Sequence, residues 1–322
     1  MKIEFSLNYL GMVWAERFDH PIREYEQVQS HCGWMPLPLA TLAVQGKDAA
    51  SFLQGLGSQD FLHQKIGTVL PSFFLDASGK ILFLVQVARN QSGFLIQVAT
   101  RDLEPLQKHL DKYLIMEDVR LTPQPLQWIT LQGPDAGRLR DILPAESQSF
   151  EHDRTGLGGY DCAIQPETLN LFAEQFQAKG VVAFGLTALD ILRTEAFLPW
   201  LGIEIQPGQN PLLYGQGNRI SYSKGCFLGQ ETVAMTRDRG RPPRILCQVE
   251  GQFEGFPQVD QPLFKAQDEV GILVSGHYSP KLNKPLAFAM VKTIQAQKDT
   301  ALTDPAGNTW MVRQVAAYKD SP

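Results

Sequence analysis

VQGKDAASFL, Val44 to Leu53, comes back as LQGPDAGRLR, Leu131 to Arg140, at an offset of 87 positions. Each copy reads as the end of a strand, a glycine turn, an aspartate at a helix N-cap (Asp48, Asp135) and a short amphipathic helix. A solenoid needs at least three copies, so this pair points instead to two related halves of one α+β body. Between the copies, FFLDASGKILFLVQVARNQSGFLIQVA (Phe73 to Ala99) reads as three strands in two hairpins, with turns at Ala77 to Lys80 and Arg89 to Gly93. RDLEPLQKHLDKYLI then places Leu103, Leu106, Leu110 and Leu114 on one helical face, and EDVRLTP returns as a strand. Strands, helix and strand in that order describe an antiparallel sheet covered by helices on one face.

Further along, LTALDILRTEAFLP reads as a helix with Thr187 as its cap and Pro199 as its end. Gly- and Pro-rich turns follow through Gly217. After Pro243 the text becomes short strands separated by turns: RILCQVEG, VGILVSGHYSP, PLAFAMVK and TWMVRQVAAY. That pattern predicts a small all-β domain, a barrel or roll, joined through the hinge DRGRPPR. The expected organisation is two interleaved α+β domains over 1–242 and a barrel domain over 243–322.

Composition narrows the class. The chain has 322 residues, too many for one core, with 43% hydrophobic and 20% charged residues, which is the balance of a folded protein. A net charge of -5 argues against a basic surface for nucleic acid over the whole protein. The opening MKIEFSLNYLGMVW lacks the basic and apolar regions of a secretory signal, and no apolar run is long enough to span a bilayer. Cys32, Cys162, Cys226 and Cys247 are widely spaced and form no C-x-x-C pair. A reduced, cytoplasmic setting without a zinc or iron–sulfur site of its own is the expectation. P-loop, H-E-x-x-H and G-x-S-x-G patterns are absent. GLGGY, Gly156 to Tyr160, lacks a dinucleotide site's strand–helix frame and reads as a loop.

Three features carry chemistry. The first is YSKGCFLGQET, Tyr222 to Thr232, which sets Cys226 between glycines, two residues from Lys224 and ahead of a helix start. A cation and a helix dipole favour thiolate; a tight turn with a bystander cysteine explains the same spacing. The second is Glu195, which follows Ala188, Ile191 and Leu192 on an apolar helical stripe. A carboxylate there is costly unless paired. Its partner is either an arginine or a flat heterocycle with adjacent N–H donors, such as a pterin or guanine edge. The third is RDRGRPPR, with Arg237, Arg239, Arg241 and Arg244. It reads as a solvated linker or as a receiver of carboxylates or phosphates, from a polyglutamate tail or an RNA backbone.

KGCFLGQE, Lys224 to Glu231, resembles at all eight positions the signature K-G-C-[aromatic]-x-G-Q-E of the YgfZ family. Those folate-binding proteins are related to the T-protein of the glycine cleavage system. VQGKDAASFLQGLGSQD resembles the family's N-terminal block, LRTEAFLPWLGIE the R-x-E-A-x-x-P-x-x-G-x-E stretch of the aminomethyltransferase superfamily, and VGILVSGHYSP its C-terminal barrel. The resemblance implies an α+β, three-domain T-protein-like cloverleaf with antiparallel sheets and a C-terminal β-barrel. It implies tetrahydrofolate or a one-carbon derivative as ligand, and a role supporting iron–sulfur cluster assembly or repair and tRNA modification, with iron–sulfur proteins or assembly factors as partners. On the positions of this sequence it assigns Cys226 as a reactive thiol with Lys224. Glu195, Arg193, Gly225, Phe227, Gly229, Gln230, Glu231 and Arg237 become the folate-contacting set, Glu195 matching the ring carboxylate. One departure stands out. Phe83 and Leu84 occupy the places of the T-protein's paired aspartates, so aminomethyl transfer is not carried over. The expectation is a folate-binding accessory protein rather than an enzyme. The alternatives are a folate-dependent aminomethyl- or methyltransferase and, weakened by the acidic charge and the lack of an aromatic-rich basic segment, a tRNA-binding module.

Overall fold

The structure is a computed structural model that describes residues 5–9, 12–140 and 147–317. In chain order it comprises β1 (Phe5–Tyr9), β2 (Met12–Arg17), α1 (Pro21–Ser30), β3 (Gly33–Leu37), β4 (Leu39–Gln45), α2 (Ala49–Leu56), β5 (Val69–Leu75), β6 (Ile81–Asn90) and β7 (Gly93–Ala99). There follow α3 (Leu103–Asp111), β8 (Arg120–Gln124), β9 (Gln127–Gln132), α4 (Ala136–Arg140), β10 (Gln148–Glu151), β11 (Gly159–Ile164), α5 (Leu169–Ala178), β12 (Val182–Ala183) and α6 (Leu186–Glu195). The last elements are α7 (Gln230–Arg239), β13 (Arg244–Gly251), β14 (Pro262–Lys265), β15 (Asp268–Ser279), β16 (Lys284–Lys292), β17 (Ala301–Thr303) and β18 (Thr309–Val315). The contacts divide the chain into two compact units, one of residues 1–73 and 83–192, the other of 74–82 and 193–322.

The first unit holds two five-stranded sheets, ordered β5-β6-β7-β4-β8 and β10-β11-β9-β3-β12. The repeat read from the sequence is a repeat of geometry. β4 runs into Gly46 at φ 123° and β9 into Gly133 at φ 122°, each followed by its short helix. Both glycines lie where backbone passes close: a Cβ would stand 2.0 Å from Asp118 O at Gly46 and 2.5 Å from Val28 O at Gly133. Asp48, however, does not cap α2 through its side chain; its Oδ2 accepts the amide N–H of Asp118 at 2.8 Å. The two predicted hairpins are β5–β6 and β6–β7. Leu106 and Leu110 of α3 are fully buried, while Leu114 falls beyond the helix end. The second sheet is antiparallel except where β12 joins β3 in parallel. Its helix α5 packs Phe172 and Phe176, one turn apart, with Phe176 5.5 Å from Trp34 in β3.

In the second unit, six strands close a barrel in the order β13-β16-β15-β14-β17-β18. Leu246, Val249, Leu273, Phe288, Trp310 and Val312 are buried in this unit. Helix α6 starts at Leu186, so Thr187 lies inside its first turn rather than capping it, and it ends at Glu195, before Pro199. Phe197 makes the turn that stops it, at φ 57°, stacked on Phe288 at 5.5 Å. That ring contact holds a left-handed conformation unusual for a bulky residue. Among the described residues no helix is long and apolar enough to cross a membrane.

Candidate functional site

Glu195 is the last residue of α6 and is half-buried, below Ala188, Ile191 and Leu192, which are buried as the stripe required. Its Oε1 accepts the hydroxyl proton of Ser279, on β15, at 2.5 Å. The carbonyls of Thr194 and Glu195, at the helix end where intrahelical donors run out, accept Gln248 Nε2 of β13 at 2.6 and 3.4 Å. Arg193, two residues before Glu195, serves another carboxylate, Glu204. Arg193 is 1% exposed, and its Nη1 donates to Glu204 Oε2 at 2.8 Å. Trp200 N–H meets the same oxygen at 2.8 Å, and Ser275 Oγ donates to Oε1. The guanidinium also lies over Trp200 and Phe288, 5.1 and 5.8 Å from the ring centroids. Arg193 is thus committed inside the protein, where it locks the chain after α6.

The motif Lys224–Glu231 forms a built turn. Phe227 is buried and anchors it, with the Lys224 ammonium 5.0 Å over its ring. Gln230, the first residue of α7, accepts the Phe227 N–H on its Oε1 at 3.2 Å, so its amide closes the turn. Glu231 is exposed in the first turn of α7, a favourable place for negative charge. Gly225 has φ 96° and open space around it. Gly229 holds the positive φ that favours glycine, at 81°, and lies against the β5–β6 turn. A Cβ on Gly229 would stand 2.4 Å from Asp76 O and 3.0 Å from Gly79 Cα. That turn is itself rigid: Asp76 Oδ1 accepts from Ser78 N, Ser78 Oγ and Lys80 N at 2.7–2.9 Å. Burial opposes ionisation of Asp76, but those donors outweigh it and hold the carboxyl below its ordinary value.

The consequence is an exposed Cys226 on a braced turn. The other three cysteines are buried and form no disulfide, and burial pushes the Cys32 and Cys247 thiols up to about 12. Of the basic cluster, Arg237 stacks on Tyr222 at 3.8 Å and forks onto its neighbour Asp238 at 2.7 and 3.1 Å. Arg241 is exposed and Arg244 opens β13; the side chain of Arg239 lies outside the described residues.

In the first unit, Phe83 of β6 faces α3, its ring 5.8 Å from His109. Strand alternation sends Leu84 to the opposite face, the one shared by Gln86. Sequence reasoning missed what Gln86 meets. Asp161 of β11, 2% exposed, accepts Arg154 Nη2 at 2.5 Å and Nε at 2.9 Å, His152 Nδ1 at 2.8 Å and Gln97 Nε2 at 3.1 Å. Gln86 Nε2 lies 3.3 Å from His152 Nε2. Burial would push the Asp161 carboxyl up, but the charges and hydrogen bonds of Arg154 and His152 outweigh it and hold it well below the carboxylate range. Among the described residues no cluster of His, Cys, Asp and Glu is placed to hold a metal ion.

Residues 244–317 match the glycine cleavage T-protein C-terminal barrel domain. The aminomethyltransferase of Bacillus pumilus (strain SAFR-032) is 24% identical over 326 residues, 92% of this chain and 89% of that protein. Those of Desulfitobacterium hafniense (strain DSM 10664 / DCB-2) and Geobacillus thermodenitrificans (strain NG80-2) are 27% and 28% identical, covering 86% and 89% of this chain. The glycine cleavage system aminomethyltransferase T from Bartonella henselae has the same fold, with a TM-score of 0.87 at 22% identity over 96% of this chain and 93% of that one. The chain thus carries a T-protein C-terminal barrel domain, is similar along nearly its whole length to aminomethyltransferases and shares the T-protein fold.

Proposed function

We propose that the chain binds tetrahydrofolate or a one-carbon derivative, with Glu195 receiving the N–H edge of the pterin, and that it works in folate-dependent aminomethyl or methyl transfer. The observation that carries the ligand is Glu195 itself: a half-buried, acceptor-only carboxylate held in one orientation at the end of α6. A pterin presents adjacent N–H donors that match such a group. The reaction class is supported by the relatives, each called an aminomethyltransferase and each covered over more than four-fifths of its length. In this reading Cys226 and Lys224 form the exposed face of the braced turn, and Arg237 reaches a glutamate tail only by giving up Asp238. Arg193 contributes through Glu204 rather than by touching ligand.

A second reading rests on Leu84. Transfer in this chain proceeds without a carboxylate on β6, because Phe83 and Leu84 stand there. That loss, together with an exposed Cys226 in a full KGCFLGQE motif, favours a folate-binding accessory protein of the YgfZ type that supports iron–sulfur enzymes. Anaerobic calorimetric titration with tetrahydrofolate tests the shared part. The native protein binds, and Glu195→Ala loses binding while unfolding at a similar temperature. Binding retained in the variant removes Glu195 from the site. Methylene-tetrahydrofolate formed from an amine donor then selects the transferase; its absence in a folate-binding protein selects the accessory role.

A further inference from the structure

We infer that Ser279 is the positioning residue for Glu195 and that the barrel, through Ser279 and Gln248, sets the geometry of pterin recognition. The inference rests on the folate reading above and adds residues to which neither spacing nor resemblance gave a role. A serine hydroxyl has one proton and two lone pairs. Ser279 is 1% exposed, and its Oγ accepts the Leu282 N–H at 3.1 Å. Its single proton goes to Glu195 Oε1, at 2.5 Å, as a charge-assisted bond. This bond fixes the carboxylate about its terminal torsion, which is otherwise a broad rotor.

Gln248 fixes the same residue from the backbone side. It is 2% exposed, and its amide gathers the Thr194 and Glu195 carbonyls that α6 leaves without intrahelical donors. Side chain and main chain of Glu195 are therefore held by two different barrel strands, β15 and β13. Ordering a long, rotamer-rich glutamate side chain costs conformational entropy. Here folding has already met that cost, so a ligand meets a pre-set acceptor.

Ser275 supplies an internal control. It lies four residues before Ser279 on β15, on the same strand face, and it also donates to a carboxylate, that of Glu204. Glu204 is 1% exposed and shut in by Arg193 and Trp200. One face of one strand thus holds two carboxylates with opposite fates. Glu204 is sealed in a lock that serves stability, and Glu195 stays half-exposed, as recognition requires.

The test is anaerobic calorimetric titration with tetrahydrofolate on the native protein, Ser279→Ala, Ser279→Thr, Ser275→Ala and Glu195→Ala, with thermal unfolding of each. Removing a donor to a charged group weakens Ser279→Ala binding about tenfold or more. Ser279→Thr keeps the hydroxyl and stays within about threefold of native. Ser275→Ala unfolds at lower temperature and binds like native where folded. Native-like affinity in Ser279→Ala beside lost binding in Glu195→Ala overturns the positioning role and leaves the folate reading standing. Equal losses in Ser279→Ala and Ser279→Thr also overturn it, because the hydroxyl would then not be the cause. No binding by the native protein removes the folate reading and this inference together.

Discussion

Changing Gly229 to alanine separates the two roles that a glycine in this motif can have. Gly225 and Gly229 both hold positive φ, at 96° and 81°, so alanine at either costs about 1–2 kcal/mol in backbone conformation. Only Gly229 has a neighbour. Its new Cβ would meet Asp76 O at 2.4 Å, Leu75 Cβ at 3.0 Å and Gly79 Cα at 3.0 Å. The nearest contact is backbone oxygen in a turn pinned by three hydrogen bonds to Asp76, so no side chain can rotate out of the way. Overpacking of that kind adds about 1–3 kcal/mol. Thermal or urea unfolding of the two single variants reads the difference directly. Gly229→Ala is expected to fall below Gly225→Ala by about 2–12 °C, at about 2–4 °C per kcal/mol for a folding unit of this size. Equal midpoints refute the close approach, and Gly229 would then return to the set of ligand-facing positions.

Asp161→Asn leaves Arg154 and His152 without their buried carboxylate and is expected to cost about 3–5 kcal/mol at neutral pH. The folded carboxyl is depressed, so its contribution is complete above the unfolded value of about 3.9 and lost as pH falls below it. Unfolding midpoints of native and variant should converge in acid; parallel curves from pH 7 to pH 3 contradict this account. Glu250, in the barrel, is pushed up by burial and pulled down further by hydrogen bonds from Lys284, Arg313 and Gln252, to about 2. Its contribution is lost between about pH 4.3 and its folded value. Glu250→Gln should lower the midpoint at pH 7 and leave it unchanged near pH 2, which a thermal series across that range checks.

What the sequence made legible is local. The 87-residue repeat was visible because a strand running into a close backbone crossing needs glycine, and Gly46 and Gly133 have nearly the same φ. The hairpins were visible because Asp76–Gly79 and Asn90–Ser92 carry turn chemistry within four residues. Glu195 was legible as an unusual carboxylate because it shares a helical face with apolar residues. Its partner was not, since Ser279 is 84 residues away and nothing in a barrel strand marks a serine as a donor. Arg193, two residues before Glu195, meets Glu204 instead, a pairing that spacing alone did not name. Asp161 escaped notice because its network gathers His152 and Arg154 from the loop before β11 and Gln97 from the other sheet, 64 residues earlier.

The β6 strand carries the weight of the choice between transfer and accessory binding. Phe83 packs toward α3 and His109, so its ring fills the helix-covered side of the sheet. Leu84 turns to the other face, where, two residues on, Gln86 meets His152 of the Asp161 cluster. That face is therefore not apolar by default; through Gln86 and His152 it adjoins the charge network of Asp161. Leucine at 84 adds no charge to that face. Gln86 and His152 thus engage each other and, through His152, Asp161, and with Phe83 and Leu84 on β6 one-carbon transfer by this chain would draw its acid or base from another residue or from the substrate itself.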